Sequence, residues 1–368
     1  MNVLFLSYHY DALFTGPAYS IPGQIEAQSG IDNVFWYNLI SESTVWRSLP
    51  YYHDLSDYPN GSVHDLPEPF SHPDIIVVEV GLSLSTTRIG IELMSGDIPY
   101  IVIPRDALAK QPQEYRSIPT EMLVAYSVLA CNASAIQYLT EREYINSGDS
   151  WNDRHTIIPN VVPLPGKWKT VFHQDRIQCL FIGRISPYHK GLDLLVEACG
   201  QIRDELRRAN CEIIICGPCE KEHMQEFMDL RDQVAALDLE DMVAFRKGVY
   251  GEEKERLLLE SDVFLTPSRF EGQPMSLLQA LSYGLPCVAT TGSTMREQVD
   301  AFHAGWTADN TSQSIAQALK RMIQEKDRLM EYSANARRLA AEYSPERIGQ
   351  KQHEFYSEIA NARSGSLN

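Results

Sequence analysis

Short apolar runs recur along this chain, and segments of helical spacing separate them. "NVLFLSY", "DIIVVEV", "YIVIP", "VLACNAS" and "TIIPNV" stand in the first half; "QCLFIGR", "CEIIICG", "MVAFRKG", "DVFLTPS" and "PCVATTG" stand in the second. Each run is apolar at successive positions rather than at alternate ones. A strand of that kind must be covered on both faces. Helices are expected over segments such as 191–209, 221–237, 313–341 and 345–363, where apolar residues fall at helical intervals. Strands buried on both faces and alternating with helices imply an α/β fold with parallel sheets.

The alternation occurs twice. Residues 163–176, "PLPGKWKTVFHQDR", interrupt it with two prolines, a glycine and a polar run, which is the composition of a linker. A second series starts at Gln178. A chain of 368 residues is also long for a single core. We therefore expect two Rossmann-like domains, 1–165 and 166–344, with parallel sheets facing across a cleft.

Net charge narrows the partners. The formal value is −17, and residues 1–165 alone hold 19 Asp/Glu against 7 Lys/Arg. Such a chain lacks the basic footprint that nucleic acid requires and suits an anionic membrane poorly. No Lys or Arg precedes Arg47, so "MNVLFLSYHY" reads as a buried strand rather than a signal peptide. No apolar run approaches the ~18–20 residues that span a bilayer. Seven scattered cysteines read as reduced thiols of a cytosolic protein. Cys211, Cys216 and Cys219 complete no set of four metal ligands, and the first two bound the apolar run "CEIIIC".

Two segments carry chemistry. In "LFIGRISPYHKGLDLLVEA", 180–198, a strand ends at Gly183 and a helix begins near Gly191. Arg184 and Lys190 can then enter the crevice at the carboxyl end of the strand, where open α/β sheets bind ligands. Two cations between glycines suit a diphosphate; the alternative is a pair of solvated loop cations. In "DVFLTPSRFEGQPMSLLQA", Pro274 suits the first turn of a helix, and the amides around Met275 and Ser276 suit an anion. Gly272 permits close backbone approach. Glu271 can accept hydrogen bonds from sugar hydroxyls, and Gln279, eight residues on, can reach the same ligand. No Gly-x-Gly-x-x-Gly follows the first strand, which argues against a nicotinamide oxidoreductase.

These stretches, with "IICGP", "VAFRKGVYGEEKERLLLESDVFLTPSRFEGQPMSLLQALSYGLPCVA" and "TTGSTMREQV", resemble glycosyltransferase family 4 in order and spacing over 178–300. "IPNVV", 158–162, is similar to the family's Ile-Pro-Asn-Gly-Val, with Val161 in place of the glycine. Gly16 stands where many members carry Gly-Gly. The resemblance implies a GT-B fold whose last helix, 345–363, crosses back to the first domain. It also implies retaining transfer of a sugar from a nucleotide-sugar donor to a glycan or lipid-linked glycan, in bacterial surface polysaccharide synthesis, with no cofactor and no metal. Arg184, Lys190 and Glu271 would be catalytic. Gly183, Gly272, Gln273, Met275 and Ser276 would line the donor, with Gly16 and Arg105 contributing from the first domain. Gln279 takes the place of a Glu that grips the ribose, and Arg105 takes that of a His near the donor sugar; a local contact with Asp106 is the other reading of Arg105. His9 and His189 read as a structural loop residue and a solvated one. Glu297 matches a Glu near the donor base or serves as a helix N-terminal charge, and Trp168 reads as a linker staple or a weak membrane anchor. The expected location is cytoplasmic, with peripheral membrane association at most. The alternatives are a degenerate GT-B binding or scaffold protein and a sugar-nucleotide epimerase.

Overall fold

A computed structural model describes residues 1–10, 15–41, 45–79, 81–110, 112–113, 118–148 and 151–364. The chain divides into two compact units. One comprises residues 1–12, 17–161 and 345–368; the other comprises 13–16 and 162–344.

The first unit contains β1 (Asn2–Ser7), β2 (Asn33–Asn38), β3 (Tyr52–Asp54), β4 (Ile75–Glu79), β5 (Tyr100–Ile103), β6 (Ala135–Tyr138) and β7 (His155–Ile157). Its sheet has the order β3-β2-β1-β4-β5-β6-β7, and every neighbouring pair is parallel. The second contains β8 (Ile177–Ile182), β9 (Cys211–Cys216), β10 (Val243–Arg246), β11 (Val263–Thr266), β12 (Cys287–Thr290) and β13 (Gly305–Ala308). They form a second all-parallel sheet, β10-β9-β8-β11-β12-β13. Both orders are Rossmann-like: the strand sequence reverses between β1 and β4, and between β8 and β11. Ligands of such sheets bind beyond the carboxyl ends of the strands that flank the reversal.

Apolar continuity explains the central strands. β8 is buried at all six positions, and Ile177, Cys179 and Phe181 on one of its faces pack under the helices Leu192–Gln201 and Ser312–Gln324. The pattern misplaces one strand. "VLACNAS" ends the helix Thr120–Asn132, and β6 begins only at Ala135. That helix is apolar nearly all round, with Val124 and Val128 exposed, so its tail imitates a strand. The apolar pattern also passed over β2, β3 and β13.

The last helix, Pro345–Ser364, belongs to the first unit. Tyr356 and Ile359 are buried with Val3, Phe5, Ile21 and Ile25. A Cβ on Gly349 would lie 2.6 Å from Ala27 O, so glycine allows this helix to meet the helix Pro17–Ser29. In the second unit the linker-like segment is packed. The buried Asp262 carboxylate accepts from the Gln178 amide at 2.8 Å and from the His173 amide at 3.2 Å, and it pairs with Lys169 at 3.2 Å. The Arg337 guanidinium lies over the Trp168 ring at 4.4 Å, which makes Trp168 a staple. Among the described residues, no helix is long and apolar enough to cross a membrane.

Candidate active site

The loops leaving β8 and β11 meet at the reversal of the second sheet. Two glycines keep neighbouring strand exits close, Gly217 those of β9 and β8 and Gly191 those of β8 and β11. Gly217, after β9, would place a Cβ 1.7 Å from Gly183 O, and Gly191, at φ +62°, would place one 2.0 Å from Pro267 O. Any side chain at either position would separate the strand exits.

Other contacts bind the two loops together. Arg269 pairs with both oxygens of Asp193 at 2.7 Å and donates to Tyr188 O at 2.6 Å. Its own amide donates to His189 O at 2.9 Å. His189 is buried, stacked on Phe270 at 4.3 Å, with Nε2 3.0 Å from Phe270 O. The solvated reading of His189 is therefore corrected: stacking on Phe270 makes it part of the loop packing.

The clamped loops bring Lys190 Nζ to 2.6 Å from Glu271 Oε1. Ser268 Oγ donates to the same oxygen at 2.8 Å. Both bonds fall on Oε1, so Oε2 is the carboxylate atom left to face a hydroxyl. Arg184, just past β8, pairs with Glu220 at 3.1 Å in a partly exposed setting. An exposed pair of this kind holds weakly and opens readily to a stronger anion. Glu220, Glu222 and His223 also bring ligand atoms within 4.8 Å of one another, and the Arg184 guanidinium already neutralises one of the three.

The helix Met275–Ser282 begins immediately after this pair. Pro274 is its N-cap, and the first intrahelical amides to reach back are those of Leu277 and Leu278, both bonded to Pro274 O at 3.1 Å. The Met275 and Ser276 amides lie before that turn, at the positive end of the helix dipole. Gly272 O accepts from Thr294 Oγ1 at 2.8 Å, and Gln273 is buried with Nε2 4.0 Å from Met295 Sδ. Further along the helix, Gln279 Oε1 accepts a hydrogen bond from Lys254 Nζ. Burial lowers the Lys254 amine to about 8. Lys254 escaped sequence reading because it sits in "GEEKERLLLE", the pattern of a solvated helix face. Glu297 lies in the first turn of the helix Arg296–Ala301.

Gly16 is exposed and groups with the second unit, where an added Cβ would lie 4.0 Å from Met275 Cγ. Arg105 lies in the first unit, only 8% exposed. Its guanidinium donates to Glu79 Oε2 at 2.8 Å, Ser20 Oγ at 2.8 Å, Asn160 Oδ1 at 2.6 Å and Gln24 Oε1. The salt-bridge partner is therefore Glu79, which corrects the alternative reading of Arg105 as a local contact with Asp106. Arg105 and Asp106 are both left-handed, at φ 49° and 71°, and the Asp106 amide is tied to Glu143 Oε1 at 2.5 Å. This turn aims Arg105 back into the sheet edge. His9, after β1, exchanges backbone bonds with the Asn38 side chain. Burial, aided by Arg105, pushes its imidazole down to about 4, so it is neutral near neutrality.

Residues 166–339 match the family model described as glycosyl transferases group 1. The chain is 30% identical to a protein named for colanic acid biosynthesis, the glycosyltransferase WcaL of Escherichia coli (strain K12), over 48% of this chain and 41% of WcaL. It is 31% identical to the amylovoran biosynthesis glycosyltransferase AmsK of Erwinia amylovora, over 43% of this chain and 38% of AmsK. It thus spans less than half the length of these relatives. Among solved structures it resembles Anabaena Alr3699/HepE in complex with UDP, with a TM-score of 0.75 and 18% identity over 97% of this chain and all of that one. At that identity the likeness is one of fold, and the fold is GT-B.

Proposed function

We propose that this chain is a retaining, metal-independent glycosyltransferase. In this reading it transfers a sugar from a nucleotide-sugar donor to a glycan or lipid-linked glycan, in bacterial surface polysaccharide synthesis on the cytoplasmic side. The Lys190–Glu271 pair at the carboxyl edge of the second sheet carries the reading, at 2.6 Å with Glu271 Oε2 left for a ligand. Lys190 and Arg184 supply positive charge for a diphosphate and for the charge that develops as it leaves. Glu271 and the Met275 and Ser276 amides hold the donor sugar. The acceptor is assigned to the first unit. The group 1 family match and the UDP complex of a structural neighbour support the donor class.

The test incubates the full chain with a panel of nucleotide-sugars and glycan acceptors, with and without excess chelator. The expected result is sugar transfer with retained anomeric configuration, unchanged by chelation. Nucleotide binding without transfer or donor hydrolysis would favour a degenerate binding protein. Epimerised donor would identify an epimerase, and loss of activity restored by a divalent cation would contradict metal independence.

A further inference from the structure

Lys254 lies in the first turn of the helix Gly251–Glu260, which follows β10, while Gln279 lies in the helix that follows β11. Helices that follow parallel strands start at the carboxyl edge of the sheet. A third residue marks the place: Cys216, the last of β9, donates to Lys247 O at 2.7 Å and interacts electrostatically with Lys254. An amine from an acidic helix face is thus turned inward, toward the edge that holds Arg184, Lys190 and Glu271. Gln279 takes one of its three ammonium hydrogens and brings no charge.

We propose that Lys254 is a donor-binding residue of this chain, its ammonium held by Gln279 Oε1 and directed to oxygen atoms of the nucleoside diphosphate. This rests on the proposed function. Gln279 is then a positioning residue that acts through Lys254. Restoring a glutamate at that position would tie the ammonium into an ion pair rather than improve donor binding.

Burial of the amine, which lowers it to about 8, fits a site where an oxygen-rich ligand compensates the charged form. The groups facing it are Cys216 from β9 and Gln279, and Cys216 is faced in turn by Arg246 at the end of β10, by Glu253 of the Lys254 helix and by Tyr250 at its N-cap. Burial holds the Cys216 thiol at about 11 and the Tyr250 phenol above its ordinary value. Neither loses its proton between about pH 7 and pH 9, so a change of affinity across that window belongs to Lys254.

The test titrates the full chain with UDP, GDP, ADP and dTDP and with the corresponding nucleosides. Lys254→Met should weaken the bound diphosphate by about ten- to a hundredfold near neutrality, the scale for losing a charged hydrogen bond. Gln279→Met should weaken it in the parent chain and add little in the Lys254→Met background. Equal loss of the free nucleoside would place the ammonium on ribose hydroxyls; loss of the diphosphate alone would place it on phosphate. Affinity of the unmodified chain should fall from about pH 7 to about pH 9, and the Lys254→Met profile should be flat. Unchanged affinity in folded Lys254→Met, or a flat profile in the unmodified chain, overturns the inference and leaves the proposed function standing. Failure of the unmodified chain to bind any of the four diphosphates overturns both.

Discussion

Glu271 and Lys190 illustrate how a residue type acquires a task from its setting. In sequence, a carboxylate and a cation 81 positions apart share nothing. Gly191, without room for a Cβ, together with the Arg269–Asp193 pair, brings them to 2.6 Å. Removing Glu271 deletes a hydroxyl acceptor and also frees Lys190 from the carboxylate that places it. Glu271→Ala should therefore lower transfer by at least ~100-fold even at saturating donor, because the reacting sugar is no longer positioned. Steady-state kinetics that showed only a raised KM would assign Glu271 to uniform binding. Charged residues beside glycines at strand exits marked Arg184, Lys190 and Glu271 as candidates, with solvated loop cations as the open alternative, and their roles came from the family resemblance. The structure brings Lys190 and Glu271 together and pairs Arg184 with Glu220. Arg105 was less legible: its Glu79 partner lies 26 residues away on the adjacent strand, and a one-dimensional reading offers only its neighbour Asp106. Lys254 was illegible, since only the packing of two helices sets it against Gln279.

At the scale of elements, uniformly apolar runs made the parallel strands and hence the α/β class readable. What failed was length and contrast. The four residues of β13, "GWTA", are too few to show a period, and a helix apolar on every face shows none, which is why "VLACNAS" was misread. Loops are governed by other physics, and here glycine makes a separable prediction. Gly191 and Gly251 both adopt left-handed backbone, at φ +62° and +52°. An added Cβ at Gly251 meets nothing within 4 Å, whereas at Gly191 it would lie 2.0 Å from Pro267 O. Gly251→Ala should then cost only the backbone penalty, about 1–2 kcal/mol. Gly191→Ala should cost clearly more and also lower transfer, since the Lys190 loop must move away from Glu271. Urea denaturation of the two variants decides the point, and equal losses would mean that the β11 exit yields without cost.

At the scale of the whole molecule, the chain path makes the two units unequal in autonomy. The second runs without interruption from Val162 to Ser344 apart from residues 13–16. Its core draws on Phe172 near the start and Tyr332 near the end, both within that span. The first unit needs its last helix, supplied after the whole second unit has been threaded. Ile348, Tyr356 and Ile359 are all nearly or fully buried, and Tyr356 donates to Gln137 Oε1 at 2.9 Å. Burying three side chains of that size is worth about 5–9 kcal/mol at roughly 1.5–3 each, comparable to the roughly 5–15 kcal/mol of net stability of a whole domain. A fragment of residues 162–344 should therefore fold alone and unfold cooperatively in urea. Residues 1–161 should not, and should regain a cooperative transition when the segment 345–364 is joined to them through a flexible linker. Circular dichroism melts of the three fragments are the measurement. A cooperative transition in 1–161 alone would show that the returning helix covers an already sufficient core. Failure of 162–344 to fold would show that this span is not autonomous.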